Sequence, residues 1–249
     1  MAGVVVHNHA AGRTCHPPRR CNHGSLGDMW RSLLDLLLPT DCGGCGVPGP
    51  ALCPDCAALL THPVQVRPPH CPTTPPIYAL APYQGPIRSA LIAYKEHARR
   101  DLAAPLGAAL AATLLHLSSQ GSGMWLVPVP SRARAARERG GQHVEVMVRR
   151  AAGMLARAGV AAAVAPGLRM AWGVRDSVGL GVAGRQANLA GRVLARRGGL
   201  PAVGTSVVLV DDVVTTGATA AECVATLLRT GVTVHAIVVL AAAVGHAPS

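Results

Sequence analysis

The stretch VVLVDDVVTTGAT, residues 207–219, decides the fold of this chain. Its four leading apolar residues predict a buried strand, and two carboxylates, Asp211 and Asp212, stand at the carboxyl end of that strand. A short loop of small and hydroxyl residues follows, and a helix begins after it. In an open parallel sheet, ligands bind just outside the carboxyl ends of the strands. The stretch therefore predicts a ligand site at this edge of the sheet.

The loop and the carboxylates favour different parts of one ligand. A loop that opens a helix offers backbone N–H groups and the positive end of the helix dipole to a phosphate. Asp211 and Asp212 repel a phosphate, but they suit hydroxyl groups or a metal ion. A phosphate and a diol together describe a ribose 5-phosphate. The alternative is an ordinary strand, turn and helix with a polar turn.

Residues 207–219 resemble the phosphoribosyl-diphosphate (PRPP) motif of type I phosphoribosyltransferases. The resemblance implies that Asp211 and Asp212 are the catalytic-site carboxylates that hold the ribose hydroxyls. It also implies that the loop binds the 5-phosphate. The loop residues are Val214, Thr215, Thr216, Gly217, Ala218 and Thr219.

Four cysteines near the N-terminus have the spacing of a metal site. Cys42, Cys45, Cys53 and Cys56 form the pattern C-x2-C-x7-C-x2-C. Two C-x2-C pairs suit a tetrahedral zinc ion, and four protein ligands leave no open position, so the zinc would be structural. A redox dithiol and unliganded cysteines are the alternatives.

Predicted helices and predicted strands alternate along the rest of the chain. The pattern predicts helices over residues 102–117, 142–158, 183–197 and 219–230, and a turn followed by a helix over 83–95. It predicts strands over residues 125–129, 160–164, 207–210 and 232–241. Residues 61–76 are a Pro-rich linker. Strands that alternate with helices predict an α/β fold with a parallel sheet flanked by helices.

Residues 29–244 resemble the ComF family, whose members join an N-terminal zinc module to a type I phosphoribosyltransferase domain. The resemblance is carried by the zinc pairs, the Tyr-x-Gly…Lys segment from Tyr83 to Lys95, the Pro-x-Pro loop and the PRPP motif. It implies a pyrophosphate loop, a mobile lid, and Lys95 as a further diphosphate contact. The loop is Pro128, Val129, Pro130, Ser131 and Arg132, and the lid includes Arg137, Arg139 and Gly140. The alternative for these basic residues is a solvated helix face.

The sequence divides into three predicted parts. Residues 1–28 are polar and rich in His, Arg and Gly, which predicts a disordered extension. Residues 29–76 hold the zinc module and linker, and residues 77–249 the phosphoribosyltransferase-like domain. Because Met29 opens a short amphipathic helix, we expect it to be the true initiator. A mature chain beginning at Ala2 would contradict this expectation.

Charge, aromatic content and hydropathy argue against a nucleic-acid stacking platform and against a membrane-spanning protein. The formal net charge is +11, but the chain has no Phe, three Tyr and three Trp, and no basic residues interleave with aromatic ones. A basic surface is therefore favoured over a stacking platform for nucleic acid. No apolar run reaches the roughly 20 residues that span a bilayer. These features predict a cytoplasmic protein without membrane insertion.

The expected reaction is transfer of phosphoribosyl from PRPP to a nitrogen acceptor with Mg²⁺, as the resemblance implies. One alternative is a PRPP or nucleotide sensor without turnover. Another, implied by the ComF resemblance, is an accessory protein for DNA uptake in competence. That role would give it single-stranded DNA or a competence-type helicase as partner.

Overall fold

A computed structural model of the chain describes residues 41–69, 71, 75–118, 123–131, 142–171, 193–196 and 198–243. The predicted extension and Met29 lie outside these residues. So do four of the predicted loop and lid residues: Arg132, Arg137, Arg139 and Gly140. All described residues belong to one compact unit, Pro39–Ser249.

The described part of the chain contains both helices and strands. They are α1 (Pro54–Ala58), β1 (Val64–Val66), β2 (Ile77–Pro82), α2 (Gly85–Glu96), a 3₁₀ turn (Arg100–Leu102), α3 (Ala103–Leu117), β3 (Met124–Pro128), α4 (His143–Arg157), β4 (Ala162–Val164), β5 (Leu168–Met170), β6 (Val193–Ala195), β7 (Ser206–Val214), α5 (Ala218–Arg229) and β8 (Thr233–Ala242). None of these helices has both the length and the apolar character that a bilayer crossing requires.

Six strands form the main sheet, in the order β1-β2-β8-β7-β3-β4. The five strands from β2 to β4 in this order run parallel, whereas β1 pairs antiparallel with β2. The predicted α/β fold with a largely parallel sheet is confirmed. The antiparallel edge strand β1 lies in the segment that the sequence analysis treated as linker. Strand β7 lies inside the sheet, so its carboxyl end is flanked by β8 and β3.

The two faces of the main sheet carry different layers. Alternate residues of a strand point to opposite faces. Along β7, Val208 and Val210 pack with helices α2, α3 and α4, whereas Val207 and Leu209 pack with α5 and strands β5 and β6. Because β7 is covered on both faces, it reads as a continuous apolar run in the sequence.

The helix predicted over residues 183–197 is wrong at its C-terminal end. Val193–Ala195 form strand β6, which pairs antiparallel with β5 in a separate two-stranded sheet. The side chain of Val193 is buried in the core beside α5. Helix propensity is a weak preference, and burial of this edge against α5 outweighs it. Residues 183–192 lie outside the described part of the chain.

Candidate functional site

The loop after β7 forms a small cavity at the start of α5. Gly217 precedes the helix with φ +83°, a left-handed conformation that glycine adopts without a steric cost. The backbone N–H groups of Thr216, Gly217 and Thr219 have no hydrogen-bond acceptor among the described residues. The cavity measures about 40 Å³. It is lined by Asp211, Val213, Val214, Thr215, Thr216, Gly217, Ala218, Thr219, Ala220 and Val239.

Asp211 is the carboxylate of the pair that faces this cavity. Its Oδ1 accepts a hydrogen bond of 2.8 Å from the backbone N–H of Asp212. Burial, and then the negative charge of Asp212, raise the pKa of Asp211 well above its ordinary value. A ligand hydroxyl or a cation that contacts this carboxyl group would favour its ionised form and so oppose the shift in pKa.

Asp212 turns to the opposite face of the sheet. Its side chain is buried, and its two oxygens contact different helices. Oδ1 lies 2.8 Å from Nζ of Lys95 on α2, and Oδ2 pairs with Nε2 of His143 at the start of α4. Burial raises the pKa of Asp212, but the hydrogen bond from His143 and the charge of Lys95 outweigh it, so the pKa falls to about 2. Asp212 is therefore a charged carboxylate held by two partners in this structure.

Tyr94 extends the network that Asp212 forms with Lys95 and His143. Tyr94 precedes Lys95 on α2, and its hydroxyl donates a hydrogen bond of 2.7 Å to the backbone carbonyl of His143. The two rings meet edge to face with centroids 5.8 Å apart. Burial, and then the charge of Asp212, raise the pKa of Tyr94 to about 12. The network fixes α2 and the start of α4 against the end of β7.

The predicted pyrophosphate loop lies one strand away, after β3. The backbone N–H of Val129 donates to the carbonyl of Val210 at 2.8 Å, which ties the loop to β7. The backbone N–H of Ser131 donates to Oε1 of Gln142 at 2.9 Å. Pro128, Val129, Pro130 and Ser131 thus stand beside the carboxyl end of the strand that carries the two aspartates. The remaining loop and lid residues lie outside the described part.

The sequence analysis assigned no role to Tyr94, Gln142 or His143. His143 reaches Asp212 from 69 positions away in the chain, and no local pattern marks that contact. The one available signal was the placement of Gln142 and His143 directly after the predicted lid, at the start of a predicted helix.

The four cysteine sulfurs converge as their spacing predicts. The Sγ atoms of Cys42, Cys45, Cys53 and Cys56 all lie within 4.8 Å of one another, so they could hold a structural metal ion such as zinc. Sγ of Cys45 and Sγ of Cys53 are 3.7 Å apart. Two thiolates on a tetrahedral zinc, each about 2.3 Å from the metal, stand about 3.8 Å apart. The donor set and its dimensions fit zinc.

The local backbone supports thiolate character at Cys42. Its sulfur accepts N–H groups from Gly44 at 3.4 Å and from Cys53 at 3.3 Å. Burial raises the pKa of Cys42, but these backbone hydrogen bonds and that of Cys45 outweigh it, and the pKa falls to about 6. A Cβ on Gly44 would come within 2.9 Å of Sγ of Cys56, so the close packing of the cluster requires glycine there.

The cysteine cluster shares its core with the main sheet. Cys42 and Cys56 belong to the same buried core as side chains of α2, α3 and α4. Nη2 of Arg99 donates to the backbone carbonyl of Asp41 at 2.8 Å. Arg99 follows α2, the helix that carries Lys95. The cluster therefore helps to position the helix that contacts Asp212.

No protein-family model matches this sequence, and a search of curated proteins finds no significant match.

Proposed function

We propose that this chain is a ComF-type, PRPP-binding protein that transfers phosphoribosyl to a nitrogen acceptor. One observation carries the proposal: the carboxylate of Asp211 and the unpaired amides of the loop line the same cavity at the end of an interior parallel strand. A phosphate and a sugar hydroxyl on one ligand need this combination of donor and acceptor groups. The resemblance of residues 207–219 to the PRPP motif supports the same ligand.

The loop would bind the 5-phosphate through its amides. Thr216, Gly217 and Thr219 offer N–H groups at the positive end of the α5 dipole. The 5-phosphate is remote from the reacting carbon, so its binding energy serves to orient the ribose. Asp211 would accept hydrogen bonds from the ribose hydroxyls. Asp212 stands directly behind it and fixes the end of the strand through Lys95 and His143.

Lys95 would also moderate the charge at the site. Two adjacent carboxylates repel a ligand that carries several phosphates. The ammonium group of Lys95, 2.8 Å from Asp212, compensates one of these negative charges. The Pro128–Ser131 loop stands beside them and would contact the pyrophosphate.

The transfer itself exchanges one bond at C1 of the ribose. The lone pair of the acceptor nitrogen forms a bond to C1, and the C1–O bond to pyrophosphate breaks with its electron pair going to the leaving oxygen. A proton on the acceptor nitrogen passes to solvent. When bound, Mg²⁺ would supply Lewis-acid neutralisation of the leaving pyrophosphate. Asp211 is an oxygen donor of the type that Mg²⁺ prefers, and this ion needs few protein ligands because it retains several waters.

Calorimetric titration with PRPP and Mg²⁺ tests the proposal. The wild-type protein is expected to bind PRPP, and Asp211→Asn is expected to weaken binding by at least about tenfold, since a hydrogen bond to a charged group contributes about 1.5–3 kcal/mol. Glu96→Gln is the matched control, because it removes one exposed carboxylate next to Lys95 without touching the cavity. Pyrophosphate release with a panel of nucleobases then tests turnover.

Absence of PRPP binding by the folded wild-type protein would overturn the proposal. Binding without pyrophosphate release from any acceptor would favour the sensor over the transferase. Salt-dependent binding of single-stranded DNA that persists in Asp211→Asn would favour the accessory role in DNA uptake.

A further inference from the structure

A second cavity is lined by the Pro128–Ser131 loop, which does not line the phosphate cavity. It measures about 160 Å³ and is bounded by that loop, the start of α4 and the two-stranded sheet of β5 and β6. Pockets for drug-sized ligands measure about 300–1,000 Å³, so this cavity suits a smaller molecule. We propose that it binds an acidic heterocycle as the phosphoribosyl acceptor, with Arg169 and Arg196 contacting its carboxylate. This inference rests on the proposed function and specifies the class of acceptor.

The two arginines come to the cavity from paired strands. Arg169 lies in the middle of β5, opposite Leu194 of β6. Arg196 follows β6, and its backbone N–H donates to the carbonyl of Gly167 at 2.8 Å. The hydrogen-bonded register therefore places the two residues diagonally across neighbouring strands, and both line the cavity.

Within the described residues, no carboxylate pairs with either of these arginines, Arg169 and Arg196. Glu145 is the one carboxylate among the described lining residues. Its Oε1 is 2.7 Å from Nη2 of Arg149, one turn further along α4. As far as the described residues show, the cavity thus offers two guanidinium groups without an ion-pair partner, and guanidinium is well suited to carboxylate geometry.

Part of the remaining lining is apolar, and Ser131 and Gln142 are its polar members. Val129, Pro166, Leu168 and Met170 contribute hydrocarbon surface to the cavity. A planar ring gains free energy by covering such surface, whereas pyrophosphate, which is charged throughout, would leave it unused. Apolar surface together with two cationic groups therefore favours a ring that bears a carboxylate over pyrophosphate itself.

The position of the cavity agrees with an acceptor role. The loop that forms one wall is hydrogen-bonded to β7 through Val129 and Val210. The acceptor would therefore stand one strand away from Asp211, and the ribose between the two cavities would be open to attack from the acceptor side.

The test uses pairs of ring compounds that differ in one carboxylate: orotate against uracil, and nicotinate against nicotinamide. Each is titrated calorimetrically into the full-length protein with PRPP and Mg²⁺. At least one acid is expected to bind at least about tenfold more tightly than its neutral counterpart, because its carboxylate forms a charge-assisted hydrogen bond with an arginine. Arg169→Gln and Arg196→Gln should each remove that preference while PRPP affinity stays within about twofold. Arg88→Gln, an exposed arginine on α2, should change neither quantity.

Equal or weaker binding of both acids by a wild-type protein that binds PRPP would overturn this inference and leave the proposed function standing. Loss of PRPP affinity in Arg169→Gln or Arg196→Gln would overturn it as well, since the arginines would then contact pyrophosphate. A wild-type protein that binds no PRPP would overturn both proposals. Thermal unfolding of each variant within a few degrees of wild type confirms that folded proteins are compared.

Discussion

Nζ of Lys95 and Oδ1 of Asp212 lie 2.8 Å apart and join the end of helix α2 to the end of strand β7. The Lys95 side chain is 23% exposed and that of Asp212 is 6% exposed, so the pair is largely shielded from water. Burial lowers the pKa of Lys95, but the charge and hydrogen bond of Asp212 outweigh it and raise the pKa above its ordinary value. Both groups are therefore charged at neutral pH, and each depends on the other.

The first prediction concerns the energetic coupling of this pair. In a double-mutant cycle of Lys95→Met and Asp212→Asn, urea unfolding is expected to give a coupling free energy of about 1–3 kcal/mol. Removal of Asp212 leaves the shielded charge of Lys95 without this partner, and removal of Lys95 leaves Asp212 paired with His143 alone among the described residues. The control cycle is Arg149→Met with Glu145→Gln, an i,i+4 pair whose arginine side chain is 56% exposed. Exposed pairs of this kind contribute about 0.3–0.5 kcal/mol. Equal coupling in both cycles would refute the prediction.

The second prediction is that the two aspartates change stability with pH in opposite directions. The pKa of Asp212 is lowered to about 2 in the folded state, so its contribution is present above the ordinary pKa of 3.8 and is lost as the pH falls toward 2. The pKa of Asp211 is raised in the folded state, so wild-type stability decreases as the pH rises from 3.8 through that raised value.

Asp211→Asn should consequently be more stable than wild type, and its advantage should increase with pH. The substitution removes a charge that is both desolvated and repelled by Asp212. The measurement is the free energy of urea unfolding between pH 4 and pH 8, with Glu96→Gln as the control for loss of one negative charge. A constant difference between Asp211→Asn and wild type across this range would show that Asp211 does not titrate there.

Local patterns predicted the parts of the fold that depend on neighbouring residues. The apolar run before Asp211 predicted an interior strand, and the residues after Gly217 predicted helix α5. The C-x2-C pairs predicted the cysteine cluster, because the chain between them is short. Each of these features is decided within a few residues, where periodicity and turn chemistry are strong signals.

The sequence analysis did not predict that the two aspartates point to opposite faces. It ended the strand at Val210, whereas β7 continues to Val214 and keeps alternating through the carboxylates. Pairing with β8 causes this extension, since Val213 and Val214 lie opposite Ala241 and Ala242. The contacts of Asp212 depend on α2 and α4, which are distant in the chain. Such contacts arise from tertiary packing, so no periodic pattern in the sequence predicts them.

The third prediction concerns the glycine that precedes α5. Gly217 has φ +83°, and a Cβ there would lie 2.3 Å from Sγ of Cys71. Gly217→Ala is expected to lower the free energy of unfolding by about 1–3 kcal/mol, through backbone strain and this contact. It should also weaken PRPP binding, because the loop amides would shift. Urea unfolding and calorimetric titration measure the two effects.

Gly153→Ala provides the matched control for that substitution. Gly153 lies in the interior of α4, and a Cβ there would meet nothing within 4 Å. Alanine is expected to stabilise the protein by about 0.5–1 kcal/mol at this position, since it has the higher helix propensity. If Gly217→Ala did not lower the free energy of unfolding relative to Gly153→Ala, the left-handed conformation and the contact with Cys71 would not constrain the loop.

The last prediction concerns the cysteine cluster and its metal. Cys45→Ser should reduce the zinc content from one ion per chain to none, whereas Cys223→Ala, which removes a buried thiol within α5, should leave it at one. Structural zinc contributes about 10–16 kcal/mol of apparent binding free energy in zinc-finger peptides, so its loss should unfold residues 41–60 locally. Elemental analysis measures the metal, and amide hydrogen exchange measures the local unfolding. Because Cys42 and Cys56 pack in the core that supports α2, exchange should also increase around Lys95. Unchanged exchange over residues 41–60 in a zinc-free Cys45→Ser protein would mean that the hydrophobic core alone holds this segment in place.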